Sequence, residues 1–252
     1  MKLLIKISYL GTAYCGYQVQ PNGVSIQQKL NEAAQAVFGF ACDIVGCSRT
    51  DSGVHANEFC ATVAQKGCAS LVTSVPIERI PLAMSAYLPN DICVFDAAWV
   101  QDAFHARYDV KEKEYIYRFY NHPVRSPFEE GRAAHVPRHL GDEALERMNR
   151  AAAHFCGTHD FSAYMAQGSS VKSTVRTVTR AEVIREGNVI VYRVSANGFL
   201  YNMVRIMAGT VLAVGQGKLE PDDIPAITES RDRTNAGSTM PACGLYLNRV
   251  IY

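Results

Sequence analysis

Gly46-Cys-Ser-Arg-Thr-Asp-Ser-Gly-Val-His-Ala-Asn57 gathers two glycines, an arginine, an aspartate and a histidine into a dozen residues. Taken alone, Asp51-Ser52-Gly53 is a β-turn, because Asp and Gly are favoured where the chain bends or takes positive φ. Its flanks say more. "CDIVGCSRT" (42–50) leads into it as a short strand and "FCATVAQ" (59–65) leaves it as another, so the turn is a loop between a buried strand and its neighbour. Scaffolds place reactive groups in such loops.

Outward from this loop, both strand and helix signals appear. "KLLIKISY" (2–9) reads as a strand, and Gly11 to Gly23 as a glycine-marked loop holding Tyr14, Tyr17 and Pro21. Ser25 and Gln28 form a capping box, Ile26, Leu30, Ala33, Ala34 and Val37 make one apolar helical face, and Gly39 supplies the stop. The segments "LPNDICV" (88–94) and "AAWVQDAFHARYDV" (97–110) follow, with a sub-domain boundary expected near Phe104. Beyond it "KEYIYRFYN" (113–121) alternates as a strand, and a proline-rich stretch runs to Pro137. Asp142 is expected to cap a second helix carrying Leu145, Met148, Ala152 and Phe155 on one face, with Gly157 as its stop. "VRTVTRAEVIRE" (175–186) and "VIVYRVSANGF" (189–199) read as paired strands around a Glu186-Gly187-Asn188 turn, and Leu200 to Val214 as an apolar helix. Each half thus offers strands, a long helix and more strands. The expected fold class is α+β, with two similar α/β sub-domains, 1–103 and 104–252, sharing a mixed, mainly antiparallel sheet around a central cleft.

Composition narrows the functional class. The 252 residues, 48% hydrophobic and 19% charged, suit one large globular unit or two modest sub-domains with a real core. "MKLLIKISYL" carries Lys6 inside its apolar run and lacks a small-residue cleavage pattern, and no stretch approaches the roughly 18 apolar residues of a membrane span, so a cytoplasmic location is expected. Eight cysteines form no C-x-x-C pair and read as free thiols. His135 and His139 have zinc-helix spacing, but Pro137 between them breaks the helix that would align both rings. The net charge of +1 hides an asymmetry: seven Lys or Arg between Lys172 and Lys218 (172, 176, 180, 185, 193, 205, 218) face only Glu182 and Glu186. That suits either a polyanionic partner or a solvated basic sheet face.

Two further features bear on chemistry. Arg205 is a lone charge among Met203, Val204, Ile206, Met207 and Val211. It either snorkels to the surface or pairs with a carboxylate from elsewhere, of which Asp51 is the best placed; an arginine beside it would keep Asp51 ionised. Tyr115 and Tyr117 alternate on one strand face, with Ile116 on the other, suiting core packing or a surface on which a base stacks.

Jointly these features resemble a known family. "SRTDSGVHA" (48–56) is similar to the R-T-D-x-G-V-H-A signature of tRNA pseudouridine synthases of the TruA type. The resemblance continues through "YLGTAYCGYQVQPNGVSIQQKL" (9–30), "LPNDICV", "FHARYDVKEKEYIYRFYN" (104–121), "GTHDFSAY" (157–164), "VRTV" (175–178), "ANGFLYNMVRIMAGTVLAVG" (196–215) and "CGLYL" (243–247). Departures are mild: Ser48 and Ser52 stand where the family often has Gly and Ala, and Tyr17 where it usually has Trp.

The resemblance implies the pseudouridine synthase fold with an RNA-binding cleft, and isomerisation of uridine to pseudouridine in RNA without metal, redox centre or organic cofactor. It implies a tRNA anticodon stem-loop as substrate, at positions 38 to 40, gripped by a homodimer. By motif position Asp51 is the catalytic carboxylate, Tyr115 stacks on the target uracil, Arg205 pairs with the aspartate and Leu245 walls the uracil. Arg49 helps hold the nucleotide out of its stack, an extrusion costing a few kcal/mol. His55 is expected to make a structural hydrogen bond, and Arg107 with the basic run to contact phosphates. Three rivals are a non-catalytic RNA-binding protein, a synthase for other RNA uridines, and a zinc nucleobase deaminase. The deaminase needs H-x-E with P-C-x-x-C, whereas His55-Ala-Asn-Glu58 has the wrong spacing.

Overall fold

A computed structural model describes residues 1–168 and 171–252. In chain order the elements are β1 (Lys2–Tyr9), α1 (Ile26–Phe38), β2 (Cys42–Gly46), β3 (His55–Gln65), α2 (Ile80–Ser85), β4 (Ile92–Val100), β5 (Glu112–Asn121), β6 (Ala134–Val136), α3 (Asp142–Ala153), β7 (Gly157–Asp160), β8 (Val175–Glu186), β9 (Val189–Ala196), α4 (Met203–Gly215), α5 (Asp223–Ser230) and β10 (Leu245–Ile251). The class is α+β. β10 meets β3 and β6 meets β5 in parallel, while β1–β3, β1–β4, β2–β3, β5–β9, β7–β8 and β8–β9 are antiparallel. The chain divides into one unit of Met1–Lys111 with Tyr246–Tyr252, and a second of Glu112–Leu245. The division therefore falls beyond Phe104, and the last strand returns to the first unit, a long-range pairing that local pattern does not reveal.

In the first unit β1 alternates strictly: Leu3, Ile5, Ile7 and Tyr9 are buried, with the intervening side chains half-exposed. Leu3 and Ile7 lie in register with Val63 and Phe59 of β3, and on α1 Ile26, Leu30, Ala33 and Ala34 are fully buried. Each large aliphatic side chain removed from water contributes about 1.5–3 kcal/mol. The cap on α1 forms through Ser25 Oγ, which accepts from Gln28 N at 3.2 Å, while the Gln28 side chain turns to Glu32 instead of closing the box. β3 is long enough to hold two partners along one edge: β2 from Gln65 back to Ala61, and β10 at His55 and Ala56. The signature loop leaves the sheet between those two pairings.

In the second unit β5, β9, β8 and β7 form an antiparallel run, and β6 lies along β5. Tyr115, Tyr117 and Phe119 of β5 point inward, and Tyr192 of β9 is fully buried beside Tyr117 in register. The expected turn at Glu186-Gly187-Asn188 joins β8 to β9. Two helix ends differ from expectation. Gly141 occupies the N-cap of α3 with no side-chain cap, so Asp142 sits inside the first turn, where its charge still favours the helix dipole. That helix closes at His154, and Gly157 opens β7 instead of stopping it.

Candidate active site

The loop Cys47–Val54, which carries Arg49 and Asp51, is fastened along its length within the first unit. Cys47 N donates to the Cys60 carbonyl at 2.8 Å, extending the β2–β3 ladder by one bond. The chain then leaves the sheet and meets residues 9–17. Tyr17 N donates to the Thr50 carbonyl at 3.1 Å, the Thr50 and Tyr9 hydroxyls are 2.8 Å apart, and Ser52 Oγ donates to the Tyr14 carbonyl at 3.1 Å. Gly16 lets the two segments approach: its φ is 89°, and a Cβ there would lie 2.6 Å from the Thr50 carbonyl oxygen. Between these fastenings Asp51-Ser52-Gly53-Val54 is a β-turn closed by Val54 N donating to the Asp51 carbonyl at 3.1 Å, with Gly53 at φ 78° where a type II turn demands positive φ. Ser52 is the exposed tip, and Asp51 is half-buried beside it rather than at the apex.

Tyr14 and Asp91 supply support that the motifs gave no role. The Tyr14 hydroxyl donates to Asp91 Oδ1 at 2.6 Å. Burial, and then the neighbouring carboxylate, push this phenol above its ordinary range, so it remains a donor. "LPNDICV" thus anchors Tyr14, whose carbonyl in turn holds Ser52. His55 is fully buried; its Nδ1 accepts from Gly11 N at 2.9 Å and its ring packs 4.5 Å from that of Tyr246. Accepting there requires an unprotonated Nδ1, which suits a fixed support. Arg49 is exposed and lines a pocket with Arg107 that Asp51 does not border.

The other candidate residues, Tyr115, Arg205 and Leu245, belong to the second unit. Tyr115 is 7% exposed and meets Phe199 edge-on, with ring centroids 5.0 Å apart. Arg205 lies in the first turn of α4, half-buried between buried Val204 and Ile206. Its Nε donates to the Met240 carbonyl at 2.7 Å and its Nη1 to Asn202 Oδ1 at 2.7 Å, so the guanidinium is oriented. Asn202 holds the left-handed conformation (φ 59°) that starts the helix after Asn202 rather than at Leu200. An Asn just ahead of an apolar helix is the sequence signal for such a residue, since Asn tolerates that region; Met240 has no such signal. Tyr117, two residues from Tyr115, donates its hydroxyl to the Pro241 carbonyl at 2.7 Å, fixing the segment that ends in the buried Leu245.

The basic run divides once placed. Arg180 and Arg193 both meet Glu182, at 2.8 Å and 3.1 Å, and Arg185 donates to the Leu140 carbonyl. Lys172 is exposed at the edge of the run. The eight cysteines are all unbridged, and His135 Nε2 bonds the His122 carbonyl at 2.7 Å. Among the described residues no helix is long and apolar enough to cross a membrane.

A family model described as tRNA pseudouridine synthase matches residues 151–252. A protein of Thermoanaerobacter sp. (strain X514) named tRNA pseudouridine synthase A is 42% identical over 250 residues, covering 99% of both chains. The chain belongs to the tRNA pseudouridine synthase A family. The family's proteins from Caldicellulosiruptor saccharolyticus and Acetivibrio thermocellus are also each 42% identical, over 250 and 252 residues, with at least 99% of each chain covered. A solved chain titled as part of a Cbf5-Nop10-Gar1 complex aligns at TM-score 0.37 and 14% identity, covering 97% of this chain and 57% of that one. Family membership makes the chain an isomerase that converts uridine to pseudouridine in tRNA.

Proposed function

We propose that the chain acts on the anticodon stem-loop of tRNA, at positions 38 to 40, as a cytoplasmic homodimer, with Asp51 as its catalytic carboxylate. The reaction breaks the bond from ribose to the base nitrogen, turns the uracil and joins the ribose to carbon 5 of the ring. A carboxylate serves this either as nucleophile, on ring or ribose, or as base toward the ribose 2′ proton. The observation that carries the reading is the fastening of Asp51. Its turn is held by Tyr14, Gly16 and Tyr17 on one side and by β3 on the other, the immobility that positioned chemistry needs.

The other assignments follow in the same reading. Tyr115 stacks on the target uracil, and Phe199 against its edge sets the ring plane. Arg205, oriented by Met240 and Asn202, partners the Asp51 carboxylate, and Leu245 walls the uracil. Arg49 holds the extruded nucleotide away from its stack, and Arg107 takes a phosphate. Tritium release from an anticodon-arm tRNA labelled at carbon 5 of uridine tests the assignment directly. Wild type releases tritium and Asp51→Asn does not; equal release by both would remove Asp51 from the chemistry. Sequencing of the modified tRNA then reads which uridines were converted, and conversion confined to uridines outside positions 38 to 40 would overturn the stated substrate.

A further inference from the structure

After β4 the chain makes a turn, His105 to Asp109, whose backbone is pinned at nearly every residue. His105 N donates to Asp109 Oδ2 at 2.9 Å and Asp109 N to the His105 carbonyl at 3.1 Å. Arg107 N and Tyr108 N both donate to His105 Nδ1, at 3.1 Å and 3.3 Å. Ala106 is fully buried, and its carbonyl accepts from the Tyr252 hydroxyl at 2.8 Å; burial raises that phenol's pKa, which keeps it a donor.

A turn so fixed nevertheless presents its largest side chains to solvent. Tyr108 is 74% exposed, its ring 4.2 Å from that of His105, and the Arg107 guanidinium carbon stands 5.9 Å from the Tyr108 centroid. These residues border a cavity of about 240 Å³ whose other walls include Arg49, Gln18 and Tyr17. No aspartate or glutamate lines it. The Tyr17 hydroxyl is buried without a hydrogen-bond partner among the described residues. Fold stability does not call for an exposed phenol on a rigid support with one guanidinium beside its ring and a second arginine on the same cavity. A nucleotide does: its base stacks on an aromatic face and its phosphate takes forked donors. The volume is below the roughly 300–1,000 Å³ of small-molecule pockets, which suits one base or one phosphate of a longer strand.

We propose that Arg49, His105, Arg107 and Tyr108 form a second nucleotide subsite beside the catalytic turn. There the base of an RNA nucleotide flanking the target stacks on Tyr108 while Arg49 and Arg107 hold its phosphate. The proposal rests on the tRNA-modifying reading and gives Arg49 a place in both sites: it stands two residues before Asp51 and faces this pocket.

The test is titration of a fluorescent anticodon stem-loop RNA, followed by anisotropy at several salt concentrations. Tyr108→Ala weakens binding about 5- to 150-fold, the worth of one base–aromatic stack, and Tyr108→Phe restores it. Arg107→Ala lowers the slope of log K against log salt by about one. Binding by Tyr108→Ala within twofold of wild type, or equal loss in Tyr108→Ala and Tyr108→Phe, would overturn the subsite. Tritium release by the same wild-type preparation reports separately on the catalytic reading, so the two can fail independently.

Discussion

Replacing Gly16 by alanine tests whether the turn at Asp51, proposed as catalytic, depends on the backbone packed against it. Gly16 has φ 89°, and the added Cβ would lie 2.6 Å from the Thr50 carbonyl oxygen, 3.2 Å from Asp51 C and 3.3 Å from Ser52 N. An L-residue in left-handed backbone costs about 1–2 kcal/mol. An ordinary contact begins near 3.4 Å, so the Thr50 carbonyl must also retreat by about 0.8 Å, carrying Asp51 with it. A shift near 1 Å at a catalytic group costs about 10²-fold in rate. At about 2–4 °C per kcal/mol for a chain of this size, the backbone strain alone lowers Tm by about 2–8 °C. Gly67→Ala is the matched control: its φ is 76°, but nothing lies within 4 Å of the added Cβ. Melting followed by circular dichroism and kcat from tritium release separate the two effects. Both variants acquire similar backbone strain, and only Gly16→Ala loses about 10²-fold in kcat. Equal kcat in the two would refute the claim that this approach positions Asp51.

Other expectations follow from the same geometry. Arg205→Leu, which removes the bonds to Met240 and Asn202, impairs tritium release more than Lys172→Ala at the exposed edge of the basic run; the reverse order counts against a role for Arg205 beside Asp51. His55→Ala leaves the buried Gly11 N–H without its acceptor, at about 1–3 kcal/mol, and a denaturant midpoint unchanged from wild type would contradict that. Burial pushes the Cys60 thiol up to about 12 and the Cys42 thiol up to about 11. At pH 8 a thiol reagent therefore modifies exposed Cys68, Cys93 and Cys156 in the native protein and reaches Cys42 and Cys60 only on unfolding, as mass spectrometry of the labelled peptides reads. The unfolded chain sheds these protons from about pH 8.5 while the folded chain keeps them, so their stabilisation is complete below that pH and is lost as pH rises toward 12. Denaturant midpoints between pH 7.5 and 10 that do not fall would contradict this sign.

What the sequence discloses and what it hides separate by range. The face of α1, its Ser25 cap and the alternation of β1 and β5 are local, and each sits where the pattern puts it. The turn at Asp51 was legible as a turn, and the structure keeps that backbone reading. Its fastening was not legible, because Tyr14, Gly16 and Thr50 meet across a gap of more than thirty residues that no periodicity spans. The end of α3 was misread because Gly157 is spent on opening a strand, where its φ of 114° is needed, and Ala153 already closes the helix. Arg205 stood out as a charge in apolar company, yet its acceptors lie three residues before it and thirty-five after. The turn at His105 lies in the stretch 104–121 that carries the family resemblance, but the bonds that pin its backbone run through side chains whose bonding no pattern discloses.

The return of the last seven residues to the first unit bears on how the protein is made. Tyr246 and Leu247 pair with His55 and Ala56, just past the turn at Asp51, and Tyr252 holds the Ala106 carbonyl. During synthesis the N-terminal unit leaves the ribosome first but lacks its final strand until residues 246–251 emerge. Until those residues emerge, the β3 edge at His55 and Ala56 and the Ala106 carbonyl lack the partners they have in the folded unit.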